Sequence, residues 1–535
     1  MVFSKIAVVH GVLAGVMILT AGCGMAQSRG TVTVDVADSI LYPTTDSVRV
    51  EVVRFPDTTY SSVGMIHFLV DTLDKKSSGM LDDLGDQYAG VPGVLTFRGN
   101  AGRSVLFVGK ISGRPSKIVI DWIYNTPYDT VSTCFGCWGG GTGWTGQPLY
   151  IDWPDSLVNE FRNRKLMRPE AGNEEIIVAS LARHLYFLDF KTGKESREPL
   201  YTGNPVKGTI SLDPSLNGRL YVGQAVHSGG EFGALVFDLF THERFSFYGR
   251  DPKAWRRWGA YDSSPVAAGQ FMFRPGENGT VYKIPRYSSE FVVHSTLRYK
   301  DASGGSPGIE SSMSVLRNYG FLSDNHGNIL CINLDNLKPV WVYDNKDDTD
   351  STPVVLEENG NPFVYVGSEL DRQGSVGMVN LAKINGLTGD EIWRLSIPCL
   401  KRHWAGKIRE GGMFSTFLPG CANCDSLIFT NICFPETTPA SGEFVAINRF
   451  TGRISYRVPL AFYAWSSPVA FVNESGEMFV VTGDVAGNIY LYDGYSGDLL
   501  FKERIGANFE SSPVVVGDAL VVGSRGTKIF KMHVE

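Results

Sequence analysis

Asp350-Ser351-Thr352-Pro353-Val354 opens a strand, and it is one of eight copies of that phrase in the chain. Close copies are Asp262-Ser263-Ser264-Pro265-Val266, Trp465-Ser466-Ser467-Pro468-Val469 and Glu510-Ser511-Ser512-Pro513-Val514. Looser copies are Gly146-Gln147-Pro148-Leu149, Gly208-Thr209-Ile210-Ser211, Ser311-Ser312-Met313-Ser314-Val315 and Phe414-Ser415-Thr416-Phe417. They recur every 40 to 64 residues, the period of a repeat architecture. An apolar strand, a turn and a second strand follow each opener, as in Pro362-Phe363-Val364-Tyr365-Val366-Gly367. A third strand then meets a turn such as Asn385-Gly386-Leu387-Thr388-Gly389 or Asp493-Gly494-Tyr495-Ser496-Gly497. Its Asx side chain bonds backbone donors two residues on, and its glycine takes the positive φ that other residues resist. A fourth strand often carries an aromatic residue, as in Val340-Trp341-Val342.

Four antiparallel strands per unit, repeated in a ring, predict an all-β, eight-bladed β-propeller. The eighth unit has room for only three strands, and the spare strand lies near 117–123, before the first opener. The two ends therefore share a blade and seal the ring, which removes free sheet edges within the circle. A seven-blade reading requires discarding the opener at Gly208.

The 535 residues divide into a leader (1–23), a β-rich appendage or linker (24–94) and the propeller (95–535). Lys5 and the apolar run 6–19 lead to Leu19-Thr20-Ala21-Gly22-Cys23, a run too short for a membrane span. The segment resembles a bacterial lipobox, which implies lipidation at Cys23 and an outer-membrane lipoprotein facing the periplasm. A plain secretory leader cut after Ala26 is the alternative. Alternating runs at 31–36, 47–53 and 65–70 predict half-buried strands, and 71–88 reads as a polar linker. A net charge of −7 and the lack of a basic stripe argue against nucleic acid.

The Ser-Ser-Pro-Val openers, the Asx-x-x-Thr-Gly turns and the tryptophans after them resemble pyrroloquinoline-quinone-like repeats, first known from quinoproteins. Thr96-Phe97-Arg98-Gly99-Asn100-Ala101-Gly102-Arg103 resembles the lead-in of such propellers. The resemblance offers two functions. One is a quinone-dependent dehydrogenase, whose cofactor lies between a tryptophan and a disulfide of adjacent cysteines beside calcium. This chain has no adjacent cysteine pair and no C-x-x-C-H haem attachment. The other is a non-catalytic, lipid-anchored scaffold with a protein partner in the envelope, similar to the propeller lipoprotein of the outer-membrane β-barrel assembly machinery. The second is the reading taken, with no enzyme activity, no cofactor and no metal assigned.

A third class is a glycan- or peptide-binding propeller. Cys134-Phe135-Gly136-Cys137-Trp138-Gly139-Gly140-Gly141-Thr142-Gly143-Trp144-Thr145-Gly146-Gln147 precedes the first opener, so it falls near the channel mouth. Trp138 and Trp144 could stack on a sugar while Gln147 bonds a hydroxyl; alternatively the tryptophans plug the channel. Arg98, His403 and Trp404 are further ligand candidates. Asp262, Glu310, Asp350 and Glu510 precede openers and should ring one end of the channel. They either bind a cation or, in the reading preferred from sequence, accept bonds from neighbouring donors. Cys134/Cys137 and Cys421/Cys424 are C-x-x-C pairs, read as local disulfides in an oxidising compartment, with four-thiolate zinc as the alternative. Cys331 reads as a core residue.

Overall fold

The computed structural model describes residues 54–82, 85–104, 108–404, 406–437, 440–506 and 508–535. It is an eight-bladed propeller. The innermost strands are Leu149–Asp152, Ser211–Leu212, Val266–Ala268, Ser314–Leu316, Val354–Glu358, Leu418–Pro419, Val469–Val472 and Val514–Val516, for blades 1 to 8. The opener at Gly208 is therefore a true blade start. Blade 8 runs Val514–Val516, Ala519–Gly523, Lys528–Val534 and then Ile118–Asn125, so the strand expected near 117–123 does close the ring. His533 Nδ1 lies 2.5 Å from Asp121 Oδ1 across that seam.

The opener's hydroxyls explain its repetition. The first serine bonds within its own blade: Ser311, Ser351 and Ser511 donate to the carbonyls of Ser323, Gly367 and Gly523 at 2.7–2.8 Å. The second links one blade to the next. Ser264 N–H donates to Ser312 Oγ, Ser312 N–H to Thr352 Oγ1, Thr416 N–H to Ser467 Oγ and Ser467 N–H to Ser512 Oγ, at 2.8–3.1 Å. Ser512 N–H then reaches Thr145 O at 2.8 Å. Backbone donors that crowd at the axis, where water is excluded, thus find partners around the circle.

The outer rim has its own joint. Trp122, Trp341 and Trp393, on fourth strands, lie against Gly193, Gly389 and Gly452 in the turn of the following blade. Their indole N–H groups donate to Phe190 O, Gly386 O and Arg449 O at 2.9–3.0 Å. Tyr456 does the same with Gly497 and Gly494 O.

The lead-in runs inside the ring and plugs the end away from the openers' N-terminal side. Gly93 and Val94 pair with Ile151 and Tyr150 of blade 1. Leu95 O accepts from Leu212 N, Ala101 O from Val315 N and Gly102 O from Val355 N, so successive residues feed successive blades. Arg98 crosses the axis to donate to Pro468 O and Phe417 O, both at 2.8 Å. Arg103 donates to Met313 O, Phe97 O and Ser264 O. The channel is therefore a blind cup. Burial pushes the Arg98 guanidinium down to about 9, because carbonyls rather than carboxylates hold it. Arg98→Met leaves two buried acceptors without donors and is expected to cost ~2 kcal/mol. An unchanged urea midpoint would show that the plug does not depend on it.

Of the appendage, Ile66–Thr72 is a strand that adds a fifth member to the outer edge of blade 3. Cys23 and the strands expected at 31–36 and 47–53 lie outside the described residues. Sequence reading missed a helix, Asp155–Asn163, inserted between the first two strands of blade 1; Trp153, Val158 and Phe161 bury it. Among the described residues no helix is long and apolar enough to cross a membrane.

Candidate functional site: an acid-lined cup

The openers' N-terminal ends and the loops after each second strand meet at the open end of the channel. Two groups of acids gather there. Asp262, Glu277 and Glu310, from blades 3 and 4, bring carboxylate oxygens within 4.8 Å of one another. Asp348, Asp350 and Glu369, from blade 5, do likewise. Lys207 is the cation in contact with them among the described residues, 2.5 Å from Asp262 Oδ2 and 3.0 Å from Glu310 Oε2. Burial alone would lower the Lys207 ammonium, but Asp262 and Glu310 override it and hold its pKa well above the ordinary lysine value.

Among the described residues no cation touches the second group, which feels Lys207 only at a distance, through Asp350. No donor among the described residues reaches Asp348 Oδ1, Asp350 Oδ1 or Glu369 Oε1. Burial, then Asp348 and Glu310, push the Asp350 carboxyl well above the carboxylate range. Burial, then Asp350 and Asp348, do the same to Glu369; burial and Glu310 do it to Asp348. Glu277 is raised in the first group by burial, Glu310 and Asp262. Such a site can take a proton or a cation, and hard cations favour oxygen sets of this kind.

The sequence reading is amended here in several places. Asp262, Glu310 and Asp350 do ring the cup, but hydrogen bonds do not saturate them: Asp262 Oδ1 and Asp350 Oδ1 have no donor. Glu510 stands apart, accepting from Asn508 Nδ2 at 2.8 Å beside Arg525. Glu277, Asp348, Glu369 and Lys207 were not foreseen. Glu277 directly follows the last residue of a second strand, Gly276, and Glu369 comes two residues after Gly367. Polar residues at that register were the available signal.

Trp144 plugs rather than presents. It is 7% exposed, its indole N–H donates to Phe414 O at 2.8 Å, and the Lys207 ammonium lies 5.3 Å from its ring centre. Gln147 faces the plug, where its Oε1 accepts from Arg98 N at 3.1 Å, so it is not offered to a hydroxyl in the cup. Arg98 is likewise consumed by the plug. Trp138 is half-buried in the hairpin strand Gly136–Gly140, and His403 is exposed in Arg402–Trp404. The expected local disulfides are not formed. Cys137, on the hairpin, directs Sγ at Asp129 O at 3.3 Å, and Cys421, before a 3-10 turn, lies 3.9 Å from Met478 Sδ. Cys331 is fully buried in blade 4, as expected of a core residue.

No protein-family model matches the chain, and no curated protein matches it in sequence. Solved structures do match in shape. A europium-containing methanol dehydrogenase superposes with a TM-score of 0.54 at 12% identity, covering 84% of this chain and 99% of that one. The quinohemoprotein alcohol dehydrogenase of Comamonas testosteroni gives 0.55 at 12% identity, over 84% of this chain and 81% of that one. The fold is that of the quinoprotein propellers. BamB from Moraxella catarrhalis gives 0.45 at 13% identity, over 67% and 93% of the two chains.

Identities this low carry the fold and no further. A quinone held as the resemblance implies needs a tryptophan on one face and adjacent cysteines on the other. Trp144 is the tryptophan beside the cup acids' lysine, and the ion-paired Lys207 ammonium already lies over its ring. The adjacent cysteines of the opposite wall are missing from the sequence. The residues do not fit a quinone sandwich.

Proposed function

We propose that this chain is a non-catalytic binding propeller of the bacterial cell envelope, lipid-anchored through Cys23 and facing the periplasm. Its cup takes a divalent cation, and the loaded rim docks a protein partner. The observation that carries the reading is the trio Asp348, Asp350 and Glu369, whose oxygens converge within 4.8 Å with no donor on one oxygen of each. Glu369 is buried and Asp348 and Asp350 are half-buried beside it, so three like charges held this close repel one another and the arrangement favours an arriving cation. Calcium suits a set of carboxylate oxygens. The leader and Cys23 support the envelope placement. The loop before the blade 3 opener, with Trp255 37% exposed and the Lys300 ammonium of the fourth strand 5.2 Å from its ring centre, offers an aromatic anchor on blade 3 for a partner.

Native mass spectrometry of the full chain, produced in a periplasm and purified without chelator, tests this. The expected spectrum shows one bound calcium that EDTA removes and that the Asp348→Asn/Asp350→Asn protein lacks. A quinone's mass on the chain, or no metal even after calcium is added, would overturn the reading. A photo-cross-linker at Trp255 should capture a partner with calcium present and lose it with EDTA.

A further inference from the structure

Blade 1 ends in a fourth strand of two residues, Leu200–Tyr201, whereas the fourth strands of the other blades have six to ten. The missing length opens a groove between blades 1 and 2, walled in part by the loop after the second strand of blade 2, and it shares no lining residue with the acid-lined cup. Its volume is about 510 Å3, and Leu235, Phe237, Tyr201, Arg183, Glu231 and Arg244 are among its walls. That lies within the roughly 300–1,000 Å3 of small-molecule sites.

The groove's charges cancel locally. Arg183 Nε lies 2.6 Å from Asp129 Oδ2, contributed by the 128–140 hairpin, and Arg244 pairs with Glu231. An anion would have to break one of these pairs to gain an arginine. A neutral polyol need not: its hydroxyls can donate to the carboxylates and accept from the guanidinium groups at once. Tyr201 supplies the apolar surface. It is 56% exposed yet fixed, with the His184 ring centre at 5.2 Å, the Arg183 guanidinium at 5.6 Å and Arg183 Nη1 donating to its hydroxyl at 3.0 Å. A ring already held in place loses little freedom on binding.

We propose that this interblade groove is a second binding site, for a neutral oligosaccharide stacked on Tyr201 and hydrogen-bonded by the two arginine–carboxylate pairs. The proposal is independent of the cation reading. Saturation-transfer NMR and calorimetry of the full chain with cellotetraose, chitotetraose, maltotetraose and mannotetraose test it, with a heparin tetrasaccharide and an acidic and a basic hexapeptide as comparators. At least one neutral sugar should bind. Tyr201→Ala and the surface change Arg244→Ala should each weaken it roughly ten-fold or more. Asp348→Asn/Asp350→Asn should leave it unchanged. The proposal falls if no neutral sugar binds more tightly than about 10 mM. It also falls if binding survives both groove variants, or if only heparin or a peptide binds.

Discussion

Chelated Asp348→Asn/Asp350→Asn protein is expected to melt above chelated wild type at pH 8, and the advantage should vanish near pH 4. The sign follows from proton linkage. Both carboxyls have folded pKa values raised well above the ordinary range, Asp350 by burial and the charges of Asp348 and Glu310, Asp348 by burial and the charges of Glu310 and Asp371. Between the unfolded value of about 4 and the folded one, the native state binds more protons than the unfolded state. Their contribution to stability is therefore greatest below the unfolded pKa and is lost as pH rises through the folded one. Asparagine keeps the shape and removes the charge. The gain at pH 8 should be on the order of 1–3 kcal/mol, a shift of a few degrees. Saturating calcium should raise wild type and leave the variant where it was. Thermal melts of both proteins from acid to alkaline pH, with EDTA or calcium, decide it; a difference independent of pH would mean that the cup acids are already neutralised by the protein.

Trp341→Ala should be among the most destabilising single changes in the rim. The indole is fully buried between blades 4 and 5, and its N–H is the donor to Gly386 O at 2.9 Å. Truncation removes the largest contact at that joint and orphans the carbonyl, for a cost of about 3–5 kcal/mol. Gly389→Ala approaches the same joint from the other side. Its φ of +77° suits glycine, and a new methyl would stand 2.8 Å from Trp341 Cγ, so it should destabilise as well. Trp255→Ala, at a partly exposed rim position, serves as comparison and should change stability by under about 0.5 kcal/mol. Guanidinium unfolding of the three variants measures this. Equal effects at Trp341 and Trp255 would remove the interblade role.

The blades were legible because each opener and each Asx-Gly turn answers a local demand: a hydroxyl for a crowded backbone donor, a positive φ for a tight reversal. The closing strand was legible by counting. The cup was half legible. Asp262 and Asp350 stand in the opener, where register alone places them at the axis. Glu277 and Glu369 sit at the ends of second strands, and only the folding of each blade brings them back beside the acids of its own opener, with Glu310 of the neighbouring blade completing the first group. Lys207 stands directly before the opener at Gly208, at the position that Asp262 and Asp350 hold in theirs, so the register that marks the acids marks it too. Gln147 was misjudged because nothing local reveals that Arg98, 49 residues upstream, reaches it from inside the channel. The groove at Tyr201 was invisible because it arises from a strand that is too short rather than from a residue that is present.

The seam in blade 8 has a bearing on how the chain acquires its shape. Asp121 meets His533 across 412 residues of sequence. A chain emerging N-terminus first exposes strand Ile118–Asn125 long before Lys528–Val534 exists to receive it. Seven blades can form in order of synthesis, but the eighth waits until Lys528–Val534 has emerged, and contacts of such span are slow to find. Until then one strand edge stands open at each end of a nearly complete arc. That interval is when the molecule is most exposed to mispairing with a neighbour of its own kind, so its yield should depend on how crowded its siblings are during folding.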